Sequence, residues 1–242
     1  MKKLILTFIT MLTFLMADEA HEIMKRVDQN IRGENVYMEI TMKITAMGHT
    51  RTMKMQSWSK GPKKSFVKMT YPPKDRGITF LSLENQMWQY VPKIERTIKI
   101  PPSMMLQNWM GSDITNDDMV KQSSIVEDYE PTILKKEGKV VTMQLLPKED
   151  AAVVWGKIIS HIDLRTYTSQ KDIFYDEEGE VVRYFIYKDV KKFGKYYMAT
   201  YWKVEPVERP GNFTEIILDK VKYDSKISEQ YFRKSALKRF SR

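Results

Sequence analysis

From Val36 onward the dominant period of this chain is two. Val36, Met38, Ile40, Met42 and Ile44 alternate with Tyr37, Glu39, Thr41, Lys43 and Thr45. Successive side chains of a strand point to opposite faces, so the run predicts a long strand with one apolar and one polar face. Met47-Gly48-His49-Thr50 makes a turn, and Arg51 to Trp58 returns with Met53 and Met55 in one phase. Lys60-Gly61-Pro62-Lys63 turns again into a third strand, Ser65 to Tyr71, which predicts an antiparallel meander.

The same reading continues along the chain. Short strands are predicted at Ile78 to Leu83, Gln86 to Val91 and Glu95 to Ile100, closed by Pro101-Pro102. After residue 124 they resume at Pro131 to Lys136, Val140 to Leu146, Val153 to Asp163, Lys171 to Tyr175, Val181 to Val190, Tyr196 to Glu205 and Thr214 to Tyr223. Turn residues such as Glu137-Gly138, Gly194 and Pro210-Gly211 separate them. Two segments break the pattern. Asp18 to Arg32 has helical spacing through Ile23, Val27 and Ile31 and stops at Gly33. Ser103 to Ser124 lacks any period-two pattern, and the acids around Asp113 to Asp118 suit helix starts. The expectation is one domain, residues 18–242, built on a sheet of about ten or more strands that closes, splits or wraps helices.

Lys2 and Lys3 followed by the uncharged stretch Leu4 to Ala17 have the layout of a secretory signal, with cleavage after Ala17 or after Ala20. Residues 1–17 are therefore read as a signal peptide, which places the mature protein in the periplasm. The chain has no Cys, which excludes disulfides, thiolate metal sites, cysteine nucleophiles and a lipidated N-terminal Cys. It has only three His, no Gly-rich phosphate loop and no G-x-S-x-G elbow. The reading is accordingly of a protein that is not an enzyme and needs no cofactor or metal. A formal charge of +9 suits transient contact with anionic membrane surfaces, or simply solubility. Export argues against a nucleic-acid partner.

Methionine, at 17 residues, outnumbers glycine. Flexible thioethers at Met38, Met42, Met53 and Met55, in phase with Ile40, suit an apolar cavity that accepts acyl chains, and equally suit an ordinary core. The excursion after Pro102 contributes Met105, Trp109 and Met110 as candidate cover residues, and Trp88 is the aromatic candidate on a neighbouring strand.

Trp109-Met110-Gly111-Ser112-Asp113, followed by Asp117-Asp118-Met119, closely resembles the W-M-G-S-D motif of outer-membrane lipoprotein-sorting proteins. Tyr71-Pro72-Pro73, Gly77, Phe80-Leu81, Trp88 to Pro92, Val154-Trp155 and Tyr175-Asp176 are similar to the same family, in order along nearly the whole mature chain. The resemblance implies a LolA-like fold: a mainly β chain whose strongly curved antiparallel sheet forms an incomplete barrel with helices on its concave side. It further implies a carrier or binder of lipids or lipidated proteins, holding their acyl chains, with an inner-membrane transporter as a further partner. The rival reading is a transporter-associated or envelope-sensing module that contacts proteins.

Overall fold

The computed structural model describes residues 18–121, 125–151 and 153–242. The signal peptide expected over residues 1–17 lies outside the described residues, as do the last three residues of the 103–124 excursion. Residues 18–32 form the expected helix, α1, which buries Ala20, Ile23, Met24 and Val27 at helical spacing.

The alternating segments form thirteen strands. β1 (Asn35–Ala46), β2 (His49–Lys60), β3 (Lys64–Tyr71), β4 (Thr79–Leu83), β5 (Gln86–Val91) and β6 (Arg96–Ile100) make a first meander. β7 (Tyr129–Glu137), β8 (Val140–Pro147), β9 (Lys157–Asp163), β10 (Thr168–Tyr175), β11 (Val181–Phe193), β12 (Tyr196–Pro206) and β13 (Phe213–Tyr223) make a second. The meanders join where β1 pairs antiparallel with β13, Met42 opposite Ile216. The resulting order is β6-β5-β4-β3-β2-β1-β13-β12-β11-β10-β9-β8-β7.

This order corrects one expectation. The sheet is mainly β with few helices, as expected, but it is not an incomplete barrel with a strongly curved wall. It is open, with β6 and β7 at opposite ends and neither paired with the other. The family resemblance implied the curved wall and strand number was compatible with it, yet closure is not required when both faces find cover and the edges are protected. Here the edges carry charge: Arg96 and Lys99 on β6, Lys135, Lys136 and Glu137 on β7 are exposed, which disfavours edge-to-edge pairing.

Each face has its own core. The front face carries a large apolar cluster under α1, including Met42, Met53, Met55, Met69, Met143 and Trp202. The back face of β2 to β5 buries Phe66, Leu81, Trp88 and Tyr90 under the C-terminal segment. That segment is a 3-10 turn, Glu229–Phe232, running into helix α4 (Lys234–Arg239), which buries Ala236 and Leu237. Gly77 lies at φ +83°, and a Cβ there would stand 2.3 Å from the Ser241 carbonyl oxygen, so the end of the chain closes directly onto glycine backbone.

The segment between β6 and β7 links opposite ends of the sheet, so it has to travel the whole way across a face. It does so as 3-10 turns at Pro102–Met104 and Trp109–Gly111, then helices α2 (Asn116–Lys121) and α3 (Ile125–Asp128). That task explains its lack of strand periodicity.

Candidate functional site

The front face and its two helical covers enclose a cavity of about 220 Å³. An engineered apolar cavity of about 150 Å³ is enough to bind benzene, so this one has room for a larger apolar group. The floor runs from Val67 on β3 across to Leu145 on β8. The roof is Met24 and Val27 of α1 together with Ile114, Asp117, Asp118 and Met119 of the crossing segment.

Of the sequence candidates, Met38, Ile40, Met42 and Met55 come together in the lining. They occupy alternate positions on adjacent strands, with Ile40 opposite Met55 and Met42 opposite Met53. Met53 is 1% exposed and belongs to the same front core, but lies outside the lining. Met105 and Met110 pack against that core without lining the cavity. Trp109 is fully buried against Phe80, with ring centroids 5.1 Å apart. Trp88 is on the other side of the sheet, in the back-face cluster, with Lys234 Nζ 4.6 Å from its ring centroid.

The W-M-G-S-D run is an anchor for the crossing segment. Met110 and Gly111 both adopt positive φ, at 50° and 68°. Arg51 donates to the Met110 carbonyl. Ser112 Oγ closes the turn on the Trp109 carbonyl at 2.8 Å. Asp113 is buried, accepts from Thr214 Oγ1 at 2.7 Å and pairs with Arg209 at 3.2 Å, which pins the segment to β13 and the loop before it.

A second anchor was missed by sequence reasoning. Asp118 of α2 receives a bidentate pair from Arg183 of β11, both contacts at 2.6 Å. Asp118 also accepts from the Thr115 N–H and hydroxyl at 2.8 and 2.9 Å, the usual chemistry of a helix start. The Arg183 side chain is only 4% exposed and is boxed by aromatic rings, with Trp155 at 4.1 Å, Phe174 at 4.5 Å and Phe185 at 4.9 Å. The planar guanidinium suits both the fork and the stack.

Also unforeseen is a polar group in the floor. Asp172 of β10 accepts from Ser160 Oγ at 2.5 Å and from Tyr187 OH at 2.8 Å. Register makes this trio: Asp172 lies opposite Ser160 on β9 and opposite Phe185 on β11, two residues from Tyr187. Burial pushes the Asp172 carboxyl above its usual range, against the opposing pull of these hydroxyls. The Tyr187 phenol is pushed up by burial and by the neighbouring Asp172. The sequence signal for both anchors was a charged residue in the apolar phase of a strand: Asp172 shares a face with Phe174, and Arg183 with Phe185.

Among the described residues no cluster of three or more His, Asp or Glu could hold a metal ion. No helix among them is long and apolar enough to cross a membrane.

An open antiparallel sheet roofed on one face by helices over an apolar cavity defines the class. Over residues 61–239 the chain matches a family described only as "Uncharacterized protein", and it belongs to that family. Solved structures share the fold. A DUF1329 family protein from Desulfovibrio piger matches at TM-score 0.84 and 21% identity, over 92% of this chain and 99% of that one. A domain assigned to outer membrane lipoprotein sorting from Vibrio parahaemolyticus matches at 0.80 and 21%, over 92% and 99%. A LolA superfamily protein from Nitrosomonas europaea matches at 0.76 and 19%, over 90% and 98%. No curated protein matches the chain.

Proposed function

We propose that this protein is a non-enzymatic carrier or binder of lipids or lipidated proteins, and that acyl chains occupy the front-face cavity. The observation that carries the reading is the cavity lining, in which Met38, Ile40, Met42 and Met55 meet Trp155 and Trp202. Methionine and aromatic walls adapt to apolar shapes, and each buried methylene contributes about 0.8 kcal/mol before ordering costs. The lipoprotein-sorting assignment of a structure with the same fold supports the same reading. On this proposal residues 1–17 deliver the chain to the periplasm, an inner-membrane transporter hands over or receives the ligand, and the net positive charge favours brief contact with anionic lipid surfaces. The crossing segment serves as the cover of the loaded cavity.

Two measurements test this. Lipid extraction and mass spectrometry on protein purified from its native envelope should recover acyl species. A neutral apolar dye should bind, and Met38→Trp, which fills the cavity from a half-buried position, should weaken its binding without unfolding the protein. A protein that carries no lipid, with dye binding indifferent to Met38→Trp, is not a carrier through this cavity.

A further inference from the structure

The electrostatics of the cavity run opposite to those of the protein. The chain carries +9 overall, yet the lining contains no Lys, Arg or His, and its acids are Asp117, Asp118 and Asp172. Asp118 is neutralised from behind by Arg183. Asp172 has no such partner. His161, which contributes a favourable field, engages Thr142 Oγ1 through its ring nitrogen. The groups that reach Asp172 directly are the hydroxyls of Ser160 and Tyr187, with the Ser169 hydroxyl, 3.2 Å from that of Ser160, as a third. An ionised carboxylate offers about four acceptor sites, so three hydroxyls still leave room for one further donor. The side chain is more than nine-tenths buried and faces apolar space, where a lone charge is costly and a complementary one is worth most.

We infer that the ligand of this cavity is an amphiphile whose polar end is an amine, seated against Asp172 with Ser160 and Tyr187, while its apolar chain lies along the methionines of β1 and β2. The inference rests on the carrier reading of the same cavity and adds the chemistry of the head group. A fatty-acid carboxylate or a phosphate would bring negative charge towards Asp172 with no cation in the lining to receive it. An ammonium supplies the missing donor and counter-charge together. It also favours the ionised form of a carboxyl that burial otherwise pushes towards protonation.

Displacement of the neutral dye Nile red from the full chain by dodecylamine, dodecanol and dodecanoic acid, each below its aggregation limit, decides the matter. The amine should bind about tenfold or more tighter than the acid, the scale of one charge-assisted hydrogen bond. Non-specific attraction to a basic surface would favour the acid, so that background works against the expected result. Asp172→Asn keeps the size of the side chain and its ability to meet both hydroxyls. It should lower amine affinity about tenfold and dodecanol affinity by clearly less. Acid binding as tight as amine binding in the unaltered protein overturns the inference while leaving the carrier reading in place. So does an amine-to-acid ratio that Asp172→Asn does not move. Displacement by none of the three probes overturns the carrier reading itself, and this inference with it.

Discussion

At the scale of single residues, the Arg183–Asp118 pair is the contact on which the roof most depends. Arg183 has left water and Asp118 is mostly buried, and the two meet through both guanidinium Nη atoms, while Arg183 Nε has no acceptor among the described residues. Breaking such a pair by removing one member costs about 3–5 kcal/mol, because an uncompensated charge stays behind. Arg183→Met should therefore lower unfolding free energy by about 3 kcal/mol in urea titration. Asp118→Asn should cost at least as much, since it leaves the Arg183 guanidinium, only 4% exposed, without its counter-charge. Asp172 behaves in the opposite sense. Its carboxyl is raised in the folded protein, so the folded state holds the proton where the unfolded chain has lost it, and stability falls as pH rises between the two values. Asp172→Asn lacks that loss. The melting temperature of the variant relative to the unaltered protein should be lowest near pH 4 and should climb as pH rises through the raised folded value, levelling off above it. A difference that stays flat across that window would mean that Asp172 is not titrating from a buried site.

At the scale of elements, the crossing segment illustrates how position overrides composition. Met104 and Leu106 remain exposed, while Met105 between them packs against the front core. The residues that roof the cavity are Ile114 to Met119, further along the segment. Trp109 is consequently a core residue of the anchor. The indoles that report on the cavity are Trp155 and Trp202, both in the lining. Trp fluorescence should respond to a bound acyl ligand in the unaltered chain. Trp155→Phe and Trp202→Phe should each remove part of that response, and Trp109→Phe should leave it intact. The existence of every strand was legible beforehand, since alternation is a local property. The start of β9 was not: the apolar run from Val153 predicts a strand four residues before Lys157, where it starts. Gly156 packs onto the Asp176 backbone, where a Cβ would approach the carbonyl oxygen to 2.3 Å, and Trp155 turns out of the strand phase to cover Arg183.

At the scale of the whole molecule, the cavity draws its walls from both meanders and both helical covers, so a bound ligand ties distant parts of the chain together. A ligand present at a hundred times its Kd stabilises by about 2.7 kcal/mol. For a chain of this length that corresponds to a rise in melting temperature of roughly 5–10 °C, readable in a thermal scan with and without the acyl probe. What the sequence determined by itself was the set of strands, the first helix, the non-periodic excursion and the apolar phase of β1 and β2. These depend on residues within a few positions of one another. What only the tertiary structure decided was which residues meet. Pairing of β1 with β13 puts the first and last strands side by side in the middle of the sheet and leaves β6 and β7 as its open edges. That order sends the excursion across the front face, moves Trp88 to the back, and brings Arg183 to Asp118 across 65 residues of chain. Strand alternation assigns a side chain to one of two faces, but the cover over each face, and the charge left facing the cavity, follow from contacts that no local pattern encodes.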